Sequence, residues 1–243
     1  MAQAPDRLDD PAVRNGVEPE TIGRRVREER LRQQIGVREL ARRVGVSASL
    51  ISQVELGKAS PSVGTLYAIV NELGLSLDEL LLDPSDKRRR PAAAQAPGDG
   101  ARRAAVSPAP EPPDGAAGGP FSPVVRRGSG KAIQLASGVR WERLTPRTPQ
   151  DVDFLGVAYE VGGESCAEDS LMRHSGSEYG HVLTGRLGVT VGFDTYELGP
   201  GDSISFESTM PHRLFNLGPD PVEAIWFVVG RRGDPRITRD QTG

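Results

Sequence analysis

Apolar residues are spaced by threes and fours in the first third of the chain and by twos in the last third. Ile22, Val26 and Leu31 follow one helical stripe, and Leu40, Ala41 and Val44 continue it on a second helix that Gly45 breaks. Ser47 is placed to cap a third helix, "ASLISQVEL", in which Leu50, Ile51 and Val54 supply the buried side. Gly57 ends that helix, because the left-handed C-terminal conformation is cheap only for glycine. Ser62 caps a fourth, with Leu66, Ile69, Val70 and Leu73 inward and Gly74 closing it. In "SLDE", Ser76 and Glu79 then have capping-box spacing before Leu80 and Leu81. The pattern predicts an all-α unit of five helices over residues 20–82.

Between Asp83 and Gly130 there is almost nothing to bury, and nine of the chain's 20 prolines fall there among Ala, Gly and Arg. Such a segment cannot offset its own ordering entropy, so residues 83–123 are expected to be a disordered, flexible linker. Residues 1–19 and 232–243 are expected to be tails. "KRRR" in the linker can touch a phosphate backbone, although a solvated charge run explains it as well. From residue 124 to 231 the period shifts toward two. "RLGVTVGF" alternates Leu187, Val189, Val191 and Phe193, and "AIWFVV" reads as a buried strand. "GFD" marks a hairpin turn and "LGPGD" a tight corner. Many short strands with Gly and Pro between them predict an antiparallel barrel or sandwich.

Composition adds three points. The net charge of −3 is unevenly spread: Arg24 to Lys58 holds nine basic and four acidic residues, whereas Lys131 to Gly230 holds seven basic and fourteen acidic. A polyanionic partner therefore suits the front of the chain only. The lone cysteine, Cys166, in the Gly-rich "GGESCAED", excludes an intramolecular disulfide and suits a reducing compartment. No apolar run reaches the roughly 20 residues that span a bilayer, and the polar N-terminus has no secretory core. A cytoplasmic protein with no membrane partner is expected.

A helix, a glycine turn and a serine-capped second helix is the grammar of a helix-turn-helix. "GVSASLISQVELGKASPSVGTL" further resembles the XRE family of phage-repressor-like DNA-binding domains, over about sixty residues. The resemblance implies that Val37–Val44 is the first helix of the motif and Ser47–Leu56 the recognition helix. Ala48, Ser49, Ser52 and Gln53 would then face base edges of double-stranded DNA, Gln53 reading an adenine bidentately. Lys58, Ser60 and Thr65 match family positions near phosphates. Arg30 and Glu55 match a buried ion pair. Val37 stands where the family usually has Gln, which removes one polar contact. A homodimer on a pseudo-palindromic operator is implied.

"HSGSEYGHVLTG" and "YELGPGDSISFESTMPHRLFN" resemble the two motifs of the cupin, a double-stranded β-helix barrel. By that resemblance His174, Glu178 and His212 are metal ligands, and Met172 occupies the place of a missing fourth. On strands, Glu178 shares a face with Gly180 and Val182, His181 falls on the opposite face, and Gly176 allows the turn after His174. Two His and a carboxylate make a facial triad suited to one divalent ion (Fe, Zn, Mn or Ni), while a metal-free polar pocket holding a small-molecule effector is an equal alternative. Arg173 is an alternative neutraliser of Glu178, and Trp141, Tyr159, Phe206 and Trp226 line the barrel mouth or fill its core.

A helix-turn-helix domain, linker and single cupin resemble the cupin-bearing transcriptional regulators, which implies a ligand-sensing regulator and no catalysis. A flexible linker transmits a signal poorly, so coupling is expected through a dimer interface. The competing reading is a mononuclear non-haem iron cupin enzyme of the epoxidase or oxygenase kind with a vestigial helix-turn-helix. The polar outward face of the recognition helix speaks against it.

Overall fold

The computed structural model describes residues 16–75, Leu80, 123–146 and 152–230. Four helices come first: α1 (Pro19–Arg32), α2 (Val37–Val44), α3 (Ala48–Glu55) and α4 (Val63–Leu73). Ser47 Oγ accepts from the Leu50 amide at 3.1 Å and Ser62 Oγ from the Thr65 amide at 3.2 Å, so both expected N-caps form. Gly45 and Gly74 close α2 and α4 in the left-handed conformation. Of the expected fifth helix only Leu80 is among the described residues; it is helical and fully buried. The linker at 83–122 and the tails at 1–15 and 231–243 lie outside them.

One stripe differs from expectation. Leu31 is 56% exposed, and Arg30 instead continues the inward row from Ile22 and Val26. At 3.6 residues per turn, position 30 follows 22 and 26, whereas 31 is rotated toward solvent. Arg30 is accommodated by a buried bidentate pair with Glu55, at 2.6 and 2.8 Å. The hydrogen bonds that Arg30 donates to Glu55 raise its pKa further.

The second domain is an antiparallel barrel. Its strands are β1 (Ala132–Leu135), β2 (Val139–Arg143), β3 (Val152–Tyr159), β4 (Ser177–Thr184), β5 (Leu187–Val191), β6 (Asp194–Leu198), β7 (Ser203–Glu207), β8 (His212–Asn216) and β9 (Val222–Val229). They form a six-stranded sheet in the order β1-β2-β3-β9-β4-β7 and a three-stranded sheet β6-β5-β8. Bridges from Glu164 to Phe215 and from Met172 to His212 extend the smaller sheet beyond β8. Two apolar runs depart from expectation. Phe193 lies at the tip of the β5–β6 hairpin and is wholly exposed, because the turn after Gly192 takes it out of the alternation. β9 is not buried on both faces: Ala224, Trp226 and Val228 enter the core, while Ile225, Phe227 and Val229 lie on an outer face that no other sheet among the described residues covers.

Helix α4 packs on the barrel as well as on the other helices. Its Val63 and Tyr67 line the barrel cavity and its Leu66 borders a crevice with Ile133 and Leu135 of β1, so both domains share one buried apolar cluster. Three backbone hydrogen bonds join them: Val17 N–H to Ala132 O at 2.7 Å, Gly64 N–H to Ser165 O at 3.0 Å and Ala136 N–H to Pro61 O at 3.1 Å. A direct contact between the domains therefore exists within one chain, a route that the sequence reading, which looked to a dimer interface, did not contain.

Candidate DNA-binding face and candidate metal centre

The residues matched to DNA contacts fall into two groups. Ser49, Ser52 and Gln53 are exposed along α3, and Lys58 is exposed just after it. Ala48 is half-buried and packs toward the core. Ser60 is half-buried beside the barrel seam, and Thr65 Oγ1 accepts from Ser62 Oγ at 3.0 Å in the α4 cap. Some of the positive charge of this domain is already committed. Glu39 accepts from Arg42 and Arg43, which hold its carboxyl at about 2, and Arg43 also bonds Glu72. Arg24, Arg27 and Arg38 are exposed with Lys58.

In the barrel, β4 and β8 bring Glu178 and His212 together, and the turn at Gly176, with φ of 101°, folds His174 back over them. Glu178 Oε1 lies 2.9 Å from His174 Nε2 and 3.0 Å from His212 Nε2, and all three side chains are buried. His174 Nδ1 faces Ser175 O at 3.0 Å and His212 Nδ1 faces Met210 O at 2.8 Å. A carbonyl can only accept, so each Nδ1 carries a proton, and in the neutral ring each Nε2 is a bare lone pair. Burial pushes the Glu178 carboxyl up, but imidazoles that carry an Nε2 proton donate to it and, with their charge, pull it down to about 2; with both rings neutral the carboxylate instead faces two lone pairs.

Three electron pairs thus converge, and none has a hydrogen-bond partner among the described residues. Their ligand atoms lie within 4.8 Å of one another. Adjacent ligands on an octahedral ion with bonds of about 2.1 Å are about 3.0 Å apart, in agreement with both measured spacings. Two imidazoles and a carboxylate are also the donor set that divalent transition metals prefer. The cluster therefore fits a metal ion.

Around it, the expected aromatics are in place. Trp141, Tyr159 and Trp226 line a barrel cavity of about 20 Å³ with Leu155, Met172 and Glu178. Phe206 packs on the His212 ring at 5.0 Å. Met172 pairs with His212 through backbone hydrogen bonds of 2.8 and 2.9 Å. Arg173 is exposed and His181 lies on the outer face, bonded to Ser203. Glu178 Oε2 instead accepts from Trp226 Nε1 at 2.7 Å. A role for Tyr67 was not foreseen. Its ring stacks on His174 at 4.4 Å and 17°, and it lines the same cavity with Val63. The available signal was that Val63 and Tyr67, four apart, form a second apolar row on α4.

A serine-capped helix-turn-helix joined to an antiparallel barrel with a buried His–Glu–His cluster defines a helix-turn-helix protein with a cupin domain. Residues 24–80 match the helix-turn-helix family and residues 157–228 the cupin domain family. The chain is 26% identical over 195 residues to the HTH-type transcriptional regulator PuuR of Escherichia coli (strain K12), covering 80% of this chain and 86% of that protein. The HTH_3 family transcriptional regulator from Vibrio cholerae shares the fold, with a TM-score of 0.57 at 16% identity over 90% of this chain and 98% of that one. Hydroxypropylphosphonic acid epoxidase from S. wedmorenis aligns over 87% of this chain and 98% of that one at 17% identity, with a TM-score of 0.37. No helix among the described residues is long and apolar enough to cross a membrane.

Proposed function

We propose that this chain is a sequence-specific, DNA-binding transcriptional regulator whose cupin domain senses a small effector at a divalent metal ion. The observation that carries this reading is the α3 surface. Ser49, Ser52 and Gln53 are exposed on a helix capped and packed as a recognition helix, and barrel chemistry has no use for them. Relatedness to PuuR, itself a transcriptional regulator, supports the same conclusion. Gln53 reads a base edge, Ser49 and Ser52 add weaker contacts, and Ala48 meets a thymine methyl. Lys58, Ser60 and Thr65 approach phosphates and set register.

In the barrel, His174, Glu178 and His212 hold the ion (Fe, Zn, Mn or Ni), and Met172 packs beside it without ligating. A bound ion would supply a Lewis-acidic centre with open positions for an effector's oxygen or nitrogen. The chain's own contribution is to fix both imidazole tautomers through the Ser175 and Met210 carbonyls, to orient Glu178 through Trp226, and to exclude water with aromatic walls. One recognition helix covers few base pairs, so a homodimer on a pseudo-palindrome is part of the proposal. The outer sheet face, where Tyr179, Ile204, Ile225 and Phe227 surround a groove that His181 also lines, offers it a surface.

Selection of bound duplexes from a random library by the full-length protein tests the function. Enrichment of a pseudo-palindromic site, with affinity falling steeply with salt, supports it. Failure to enrich any sequence overturns it.

A further inference from the structure

We propose that helix α4 of the DNA-binding domain is the lid of the cupin site, and that the Tyr67–His174 stack reports the occupancy of that site to the recognition helix. The proposal rests on the metal-centre reading above.

Four observations converge on it. Tyr67 lies flat on the ring of His174, 4.4 Å away, and is tilted against Trp141 at 5.2 Å. His174 therefore has a ligand face toward Glu178 and a π face covered by a residue of the other domain. Second, Val63 and Tyr67 wall the cavity beside Glu178, which at about 20 Å³ has room for roughly one water molecule. A single ion or water fits beneath the lid, whereas an organic ligand reaches Glu178 only once Tyr67 has lifted. Third, α4 comes close enough for backbone contact. A Cβ at Gly64 would lie 3.5 Å from those of Cys166 and Met172, and the Gly64 amide bonds Ser165 O. Finally, Leu66 and Val70 continue the same stripe of α4 as Val63 and Tyr67, and α4 packs on α1 and α2, the two helices on which α3 is seated. A close-packed interior transmits such a shift instead of absorbing it, so lifting Tyr67 carries the recognition helix with it.

The coupling is reciprocal. An ion that fixes the His174 ring stabilises the seat of Tyr67 and tightens the seam, and a ligand that unseats Tyr67 loosens it. Residues Lys58, Ser60 and Thr65 sit on the loop and first turn leading to Tyr67, so the phosphate-facing edge of the domain moves first.

The seam amides provide the test. Hydrogen–deuterium exchange is followed on the full chain with and without Zn(II), at peptides holding Gly64 and Ala136, whose amides bond across the seam. Bound Zn(II) is expected to slow exchange there about tenfold. Tyr67→Phe, which keeps the ring, retains the slowing. Tyr67→Leu, which keeps apolar bulk without the stack, binds Zn(II) and loses it, while peptides of α2 and β5 confirm that the variant is folded. Zn(II) that binds through Glu178 but leaves seam exchange unchanged in the wild type overturns the lid and leaves the metal centre standing. Full slowing in Tyr67→Leu also overturns it. The wild-type comparison decides alone if the Leu variant does not fold. Zn(II) binding that Glu178→Gln leaves unaltered overturns the metal centre itself, and the lid's trigger with it.

Discussion

Gly180 on β4 and Trp226 on β9 are cross-strand partners, and the indole occupies the space where a side chain at 180 would begin: a Cβ there would lie 2.0 Å from the ring. The absent side chain is what allows the indole to lie across β4 and reach Glu178. Gly180→Ala must therefore displace either the ring or the strand. Overpacking of this kind costs about 1–3 kcal/mol, and thermal denaturation is expected to show a melting temperature lower by several degrees, with weakened metal binding.

Trp226→Phe separates shape from hydrogen bonding. It keeps most of the ring and removes the Nε1–H that Glu178 Oε2 accepts. Groups that orient metal ligands typically change affinity by about 10–100-fold when lost. Zn(II) affinity, measured by competition with a chromophoric chelator, is expected to fall in that range while the fold persists.

Acid should destabilise the metal-free barrel through Glu178. Its folded carboxyl lies at about 2, below the ordinary 4.5, so the unfolded chain binds the proton more readily. The stabilisation is complete above about pH 4.5 and is lost as the pH falls toward 2. Glu178→Gln, measured in the presence of a chelator, is expected to show a flatter loss of stability across that window than the wild type.

The Arg30–Glu55 pair makes a prediction about stability that a DNA-binding assay would misread. Arg30→Met alone strands a buried carboxylate, and breaking such a pair costs about 3–5 kcal/mol. Replacing both residues, as Arg30→Met with Glu55→Leu, should recover most of the loss in denaturant unfolding, because no charge is left buried. A double variant as unstable as the single one would contradict this.

On the selected operator, Gln53→Ala and Lys58→Ala should behave differently. Gln53→Ala is expected to cost about 1–3 kcal/mol and to relax preference at one base pair. Lys58→Ala should weaken all sequences alike and reduce the salt slope by about 1. Titrations at several salt concentrations distinguish the two.

Where local chemistry decides, the chain was readable in advance. Ser47 and Ser62 cap their helices and Gly45 and Gly74 end theirs, whereas the meeting of His174, Glu178 and His212 at one point was legible only through the resemblance to the cupin motifs. Two misreadings came from giving periodicity precedence over its interruptions. Phe193 continued an alternation that the adjacent glycine turn had already ended, and the run in β9 looked doubly buried although only one of its faces meets the core. Leu31 was one residue out of phase with Arg30, whose charge concealed an inward position. The seam was hidden for a different reason. A helical stripe shows that a face is buried but not against what, so the inward row of Leu66, Ile69, Val70 and Leu73 gave no hint of Val63 and Tyr67 on the barrel. That Tyr67 meets His174, more than a hundred residues away, is a property of tertiary packing alone.

Cys166 gives the seam a practical handle. It is the chain's only cysteine, its side chain is buried next to Gly64, and burial pushes its thiol above the ordinary value. A maleimide dye offered to the native protein has one thiol to react with, and reaches it when helix and barrel part or when the exposed turn whose Ser170 carbonyl accepts from the thiol opens. The labelling rate is thus a clock for these openings, read on the unaltered chain, and the attached dye would thereafter act as a wedge holding the two domains apart.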